Sequence, residues 1–354
     1  MTCFPSLVRS ISASGAVRYA LGDPLVDRYL EFVAGRARPN TLRAVAFDLK
    51  TFFTVIVKNA VDVESADVFE FLAAQRGDRT VVRLADRESG VSARTIARRL
   101  SSVSGLYAYL VARGDTGVRS NPVPRGLATR RQGGRGARVP LVRVPRTLPR
   151  ILAPAEADRL VAALRMDRDR ARVAAMLLAG LRRCEVLGLR LPDVQVADRR
   201  LVITEVNGGR LAWNSPKNHE RRSVPLPRFL AAELTAYLAN RSPDDLLFTG
   251  TNGGVLRNRN ARRDWFNAAA RAIGEPGLTP HELRHTAASL AVSAGANVKA
   301  VQRMLGHASA AMTLDRYADL FDDDLDAVAE RLDAVYLRAA HANGEVIKLA
   351  ASQS

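Results

Sequence analysis

The sequence predicts a mainly α fold with a small antiparallel β-sheet, divided into two domains. Three observations predict it. Apolar residues recur at helical spacing from Asp23 to about Val123 and again beyond Leu152. Short β-type runs cluster between Arg200 and Leu226, with turn residues between them. Between the two helical regions, from Pro124 to Arg150, the periodicity stops and Gly, Pro and Arg dominate.

Residues 1–20 carry little pattern and are expected to be flexible. Residues 21–123 should hold four to five helices. Asn40 is placed to cap one from Thr41 to about Val57, and Ser65 to cap another through Val68, Phe69, Phe71 and Leu72. Ser92 opens a longer helix with Ile96, Leu100, Val103, Leu106, Tyr107 and Leu110 on one stripe. Arg94, Arg98 and Arg99 lie beside that stripe, either to meet phosphate or as a solvated basic face. The linker, residues 124–150, carries eight arginines, Arg130, Arg131 and Arg135 among them, and no acid. It reads as a strap along a phosphate backbone or as a flexible tether.

The second domain is expected over residues 151–320. Pro154 opens a helix to Leu164, and another runs from about Arg168 to Leu181. Strands are expected at Arg200–Glu205, Arg210–Trp213 and Arg222–Leu226, in one small antiparallel sheet. Pro227 starts a helix through Leu230, Leu234 and Leu238. A basic helix from about Asn258 to Ile273 follows, with Arg257, Arg259 and Arg262 clustered at its start as candidates for DNA contact. Residues 321–354 close the chain with an amphipathic helix, its stripe formed by Leu325, Val328, Leu332, Val335 and Ala339. That stripe must be buried on its own domain or on another protomer.

Composition narrows the function. The 53 basic and 36 acidic residues leave a net +17 in a chain of 354 residues, a field that favours a polyanion. No apolar run approaches the roughly 18–20 residues that span a bilayer, and the first residues lack a signal-peptide layout. Cys3 and Cys184 make no disulfide framework, which suits a reducing cytoplasm. A basic, cytoplasmic protein is expected, directed to nucleic acid or to an anionic membrane surface.

Chemistry concentrates between Thr279 and Asp319, which holds three of the five histidines. His281, Arg284 and His285 share one helix face, and Tyr317 follows His307 by ten residues. Two readings compete. His281-Glu282-Leu283-Arg284-His285 fits the H-E-x-x-H pattern of zinc hydrolases. The same residues also fit a cationic phosphate clamp beside a tyrosine nucleophile. The zinc reading needs a third ligand, places Arg284 beside a dication and leaves the basic linker unexplained. A tyrosine that breaks DNA needs arginines on the non-bridging oxygens and an acid for the leaving 5′ oxygen. The phosphotyrosyl ester conserves bond energy, so no nucleotide is needed. The sequence has neither a P-loop pattern nor the carboxylate cluster of a two-metal nuclease.

Five separated motifs resemble those of the tyrosine recombinases, the phage integrase and Xer family. They are Gly180-Leu181-Arg182 with Glu185, Lys217 eight residues before Pro225-Leu226, His281 with Arg284-His285, Leu305-Gly306-His307, and Tyr317. The first half is similar to that family's helical, SAM-like core-binding domain. The resemblance implies a C-shaped clamp on DNA, with Arg182 and Arg284 holding the scissile phosphate. It further implies that Lys217 protonates the leaving oxygen, that His281 and His307 assist proton transfer, and that Tyr317 attacks. Glu185 would orient the site by pairing with a neighbouring cation, and His285 would support it structurally. No cofactor or metal is implied. The partner would be double-stranded DNA with a specific recombination site, bound by a tetramer joined through the C-terminal helix, with room for an accessory or directionality protein. Alternatives are a catalytically silent DNA-binding protein of the same fold, a topoisomerase of the related class and, more remotely, the zinc hydrolase.

Overall fold

Helix α1 (Pro24–Arg36) begins where the Asp23 carboxylate accepts the backbone N–H groups of Leu25 and Val26 at 2.9 and 3.0 Å. Its residues Val26, Tyr29, Leu30 and Val33 are buried, the i, i+3, i+4, i+7 stripe of an amphipathic helix. This computed structural model describes residues 4–77, 90–128, 138–145, 150–204, 206–207, 213–214, 221–238, 246–250, 254, 265–317 and 325–342. The chain divides into two compact units, Met1–Thr147 and Leu148–Ser354.

In the first unit, α2 (Pro39–Val55), α3 (Ser65–Gly77) and α4 (Ala93–Arg113) join α1 around one core. Phe52, Phe53, Phe71, Val103 and Leu106 are fully buried there, each worth roughly 1.5–3 kcal/mol of transfer free energy. The Ser92 hydroxyl caps α4 by accepting the Thr95 N–H at 3.3 Å, and Gly114 ends it at φ +73°. Two expected caps differ. Helix α2 starts at Pro39, whose preset φ and missing N–H suit the first turn, so Asn40 lies inside the helix. Ser65 is the first residue of α3, and its hydroxyl donates to the Pro122 carbonyl at 2.9 Å instead of capping. The N-terminal segment also departs from expectation. β1 (Val8–Ile11) pairs antiparallel with β2 (Val17–Ala20), and Tyr19 and Leu21 anchor that hairpin in the helical core. In the linker, β3 (Leu127–Ala128) pairs with β4 (Arg138–Val139).

The second unit opens with α5 (Pro154–Ala162) and α6 (Asp167–Ala179). Val173, Ala174, Ala175, Met176 and Leu177 of α6 are all buried, so the helix is enclosed on every side. A short α7 (Arg183–Val186) follows. The sheet has the order β5 (Val194–Gln195), β6 (Arg200–Ile203), β9 (Arg222–Pro225), with Leu201 opposite Val224 and Ile203 opposite Arg222. Trp213 is not in this sheet. It belongs to β8 (Trp213–Asn214), which pairs with β7 (Val206–Asn207) in a separate ladder. The third strand is supplied by Val194–Gln195, because Arg199 takes a left-handed turn (φ 48°) and folds the chain back at once. Helices α8 (Arg228–Leu238), α9 (Asn267–Ala272), α10 (Glu282–Ser293), α11 (Val298–Leu305), α12 (Ala310–Tyr317) and α13 (Leu325–Ala342) complete the unit. On α13, Leu332, Val335 and Tyr336 are each more than 60% exposed, so its apolar stripe is uncovered there.

Candidate active site

Two helix ends and one strand build the site. Helix α6 stops at Gly180 and α11 at Gly306, both at φ +61°, where a side chain would be strained. The first stop releases Leu181-Arg182 toward α7, and the second releases His307. Arg182 donates from its backbone N–H and Nη1 to Glu185 at 2.7 and 2.8 Å, and from Nη2 to the Gly306 carbonyl at 3.1 Å. Arg284, only 2% exposed on α10, donates from Nη1 to the Gly180 carbonyl at 2.6 Å and from Nη2 to the Leu305 carbonyl. Each arginine therefore satisfies carbonyls that a helix end would leave orphaned.

Glu185 is buried among cations. Arg222 on β9 forks onto it, Nη1 to Oε1 at 2.8 Å and Nη2 to Oε2 at 2.6 Å. Burial by itself would raise the Glu185 pKa. The Arg222 hydrogen bonds, with the charges of Arg222 and Arg182, outweigh it and bring the carboxyl down to about 2. Burial, followed by the Arg182 charge, pushes the Arg284 pKa down to about 9, still a cation at neutral pH.

The tyrosine and histidines gather beside this network. Tyr317, 2% exposed, packs on Ala288, Val301 and Leu305, and its hydroxyl lies 2.6 Å from His285 Nδ1. The His281 and His285 rings are 5.1 Å apart, and the His307 ring stacks on Tyr317 at 6.5 Å and 7°. His307 Nδ1 meets the buried Thr313 hydroxyl at 2.9 Å, which fixes the imidazole's rotation.

The structure thus brings Arg182, Glu185, His281, Arg284, His285, His307 and Tyr317 together. Lys217, Arg130, Arg131, Arg135, Arg257, Arg259 and Arg262 lie outside the described residues. In the first unit Arg94 is exposed, Arg98 pairs with the buried Asp48 and Arg99 donates to Gln75. His285, expected as support, is in direct contact with the tyrosine. Among the described residues no group of three His, Cys, Asp or Glu is placed to hold a metal. No helix among them is long and apolar enough to cross a membrane.

Sequence reasoning missed Arg222 and Thr313. Arg222 had a readable signal: it alternates with the buried Val224 on β9, so it points to the covered face. A cation there demands a buried acid. Thr313 had none, since a threonine on a short helix has many uses.

A helical unit followed by an α+β unit that assembles two arginines, three histidines and a tyrosine defines a DNA-strand-rejoining class of fold and site. Residues 150–323 match the description "Phage integrase family", and residues 26–114 match "Phage integrase, N-terminal SAM-like domain". The chain belongs to the phage integrase family of tyrosine recombinases. It is 29% identical over 324 residues to the tyrosine recombinase XerC of Mycobacterium tuberculosis, covering 86% of this chain and 96% of that one. It is 33% identical over 175 residues to XerA of Thermococcus kodakarensis, covering 48% and 58%. Among solved structures, the Tn1549 transposon integrase in complex with transposon right end DNA aligns at TM-score 0.68 and 20% identity, over 87% of this chain and 99% of that one. XerH bound to palindromic difH substrate aligns at TM-score 0.60 and 19% identity, over 85% and 83%. At those identities the likeness is one of fold.

Proposed function

We propose that this chain is a site-specific recombinase that cuts and rejoins duplex DNA through a 3′-phosphotyrosyl intermediate, with no metal and no nucleotide. One observation carries the reading: the Tyr317 hydroxyl lies on His285, beside the stacked His307 ring, while the flanking helix ends hold Arg182 and Arg284. Tyr317 Oη gives its proton to the imidazole nitrogen beside it, His285 Nδ1 at 2.6 Å, and attacks the scissile phosphorus, forming a new P–O bond as the bond to the 5′ oxygen breaks. Arg182 and Arg284 neutralise the charge that builds on the non-bridging oxygens. Lys217 supplies the proton that the 5′ oxygen needs to leave, and His281 and His307 bond the phosphate and assist that transfer. Attack by a 5′ hydroxyl on the phosphotyrosine reverses these steps and seals the strand.

Because Tyr317 is buried, a phosphate reaches it only when α12 shifts. The exposed stripe of α13, which follows α12 in the chain, supplies a handle for that shift by docking on a neighbouring protomer in a tetramer on DNA. Arg94 and the linker arginines bind the duplex backbone, in the cytoplasm, with or without an accessory protein.

The test is covalent capture on a pool of nicked duplexes with randomised sequence, with and without EDTA. Wild type should form an adduct that survives denaturant and EDTA, and Tyr317→Phe should form none. Retention of DNA without an adduct would favour a silent binder. Cleavage by both proteins, abolished by EDTA, would return the zinc reading.

A further inference from the structure

We propose that Arg222 is a positioning residue of the strand-cleavage site, acting on Arg182 through Glu185 and on the turn that presents His307. The inference rests on the recombinase reading. A carboxylate offers about four lone-pair sites. Those of Glu185 are filled by both Nη groups of Arg222 and by the backbone N–H and Nη1 of Arg182. With Arg222 occupying its share, Arg182 keeps Nη2 on the Gly306 carbonyl at 3.1 Å. Without it, Glu185 has two open sites and can draw the whole Arg182 fork onto itself. Arg182 would then leave both Gly306 and the position where it meets phosphate.

Arg222 also packs on the turn itself. A Cβ placed on Gly306 would meet Arg222 Cδ at 3.0 Å and Nε at 3.1 Å, so the guanidinium stem walls the backbone one residue before His307. Its side chain is 12% exposed against 22% for Arg182, which sets it behind the phosphate-facing arginine.

The groups facing Glu185 are Arg182 from its own turn, Arg222 from β9, Arg284 from α10 and the adjoining Cys184 thiol. Burial favours the neutral carboxyl, and the Arg222 contacts reverse that. Removing Arg222 lets the Glu185 pKa climb from about 2, so ionisation is lost at a higher pH than in wild type. The acid limb of strand cleavage should move up with it.

The experiment uses the full chain and a nicked duplex on which wild type forms the covalent adduct. Single-turnover adduct formation is followed from about pH 4 to 8, with DNA binding measured separately. Arg222→Gln should slow adduct formation by roughly 10- to 100-fold with little change in DNA affinity, since small misplacement of a reacting group has effects of that size. Its acid limb should shift upward, and Arg222→Lys should recover part of both losses. In a Glu185→Gln background, Arg222→Gln should cost clearly less than in the wild-type background, because its path through Glu185 is gone and only its packing on the Gly306 turn is left to lose. Equal losses in both backgrounds, or an unchanged acid limb in Arg222→Gln and Arg222→Lys alike, would overturn the proposal. If Arg222→Gln does not fold, the acid limb of Arg222→Lys decides alone. A wild-type chain that captures no DNA covalently overturns the recombinase reading and this one together, whereas capture by every variant at the wild-type rate overturns this one only.

Discussion

Tyr317 and His285 form a buried polar pair whose members satisfy one another, hydroxyl to Nδ1 at 2.6 Å. A polar group stranded away from water costs about 1–3 kcal/mol. Removing either partner should therefore destabilise the fold as well as the chemistry. His285→Ala should lower unfolding free energy in urea by about 2 kcal/mol, from the lost hydrogen bond to the phenol and the lost packing. His285→Gln, which can still reach the phenol, should lower it by about half as much. Equal losses in the two variants would mean that the hydrogen bond contributes nothing. Tyr317→Phe leaves the imidazole nitrogen without this partner, so its loss of activity should be read beside its own stability. The sequence placed His285 one helical step from Arg284 and assigned it support; contact with Tyr317, 32 residues away, depends on how α12 packs. Periodicity along one helix carries no such information.

At the scale of elements, two helix C-termini serve as the frame of the site. Helices α6 and α11 end in left-handed glycines, and carbonyls at those ends accept hydrogen bonds from Arg284 and Arg182. The negative ends of both helix dipoles thus face the cations. Gly180 is the tighter junction: a Cβ there would lie 2.7 Å from Leu305 Cδ2 and 3.2 Å from Met304 Cε. Gly274, at φ +82° with open space around it, isolates backbone strain from packing. Gly274→Ala should cost about 1 kcal/mol and Gly180→Ala about 3 kcal/mol, measured by urea unfolding. Similar costs at the two positions would show that the α6–α11 junction is slack. The end of α6 was read at Leu181, two residues past Ala179, so its approximate place was legible from the apolar run but the Gly180 stop itself was passed over. Ser92 and Pro154 were legible as helix starts, because the signal lies within a few residues. The hairpin at β1 and β2 was not: its stability comes from Tyr19 and Leu21 reaching a core made by later helices. The β5 strand was hidden for a similar reason, since two residues are too few to alternate.

For the whole molecule, charge is the property that the fold does not consume. Several buried acids are matched by cations inside each unit, among them Asp48 with Arg98, Asp169 with Arg172 and Glu185 with Arg182 and Arg222. Glu185 faces two of those arginines, so the matched groups carry almost no net charge and nearly all of the net +17 rests on the remaining groups. A surface of that sign binds a phosphate backbone by releasing its condensed counterions, whatever the sequence. Affinity for an arbitrary duplex should then fall steeply with salt. If the chain engages about 6–10 phosphates, binding should weaken by about 10³- to 10⁵-fold between roughly 50 and 200 mM salt. Fluorescence anisotropy on a labelled duplex of unrelated sequence measures this directly. Tyr317→Phe should give the same slope, because the substitution removes no basic side chain. Arg94→Gln should flatten it by about one unit if that exposed arginine on α4 touches a phosphate. An affinity that ignores salt would remove the electrostatic basis for DNA as the partner, and an unchanged slope in Arg94→Gln would remove α4 from the interface at that position.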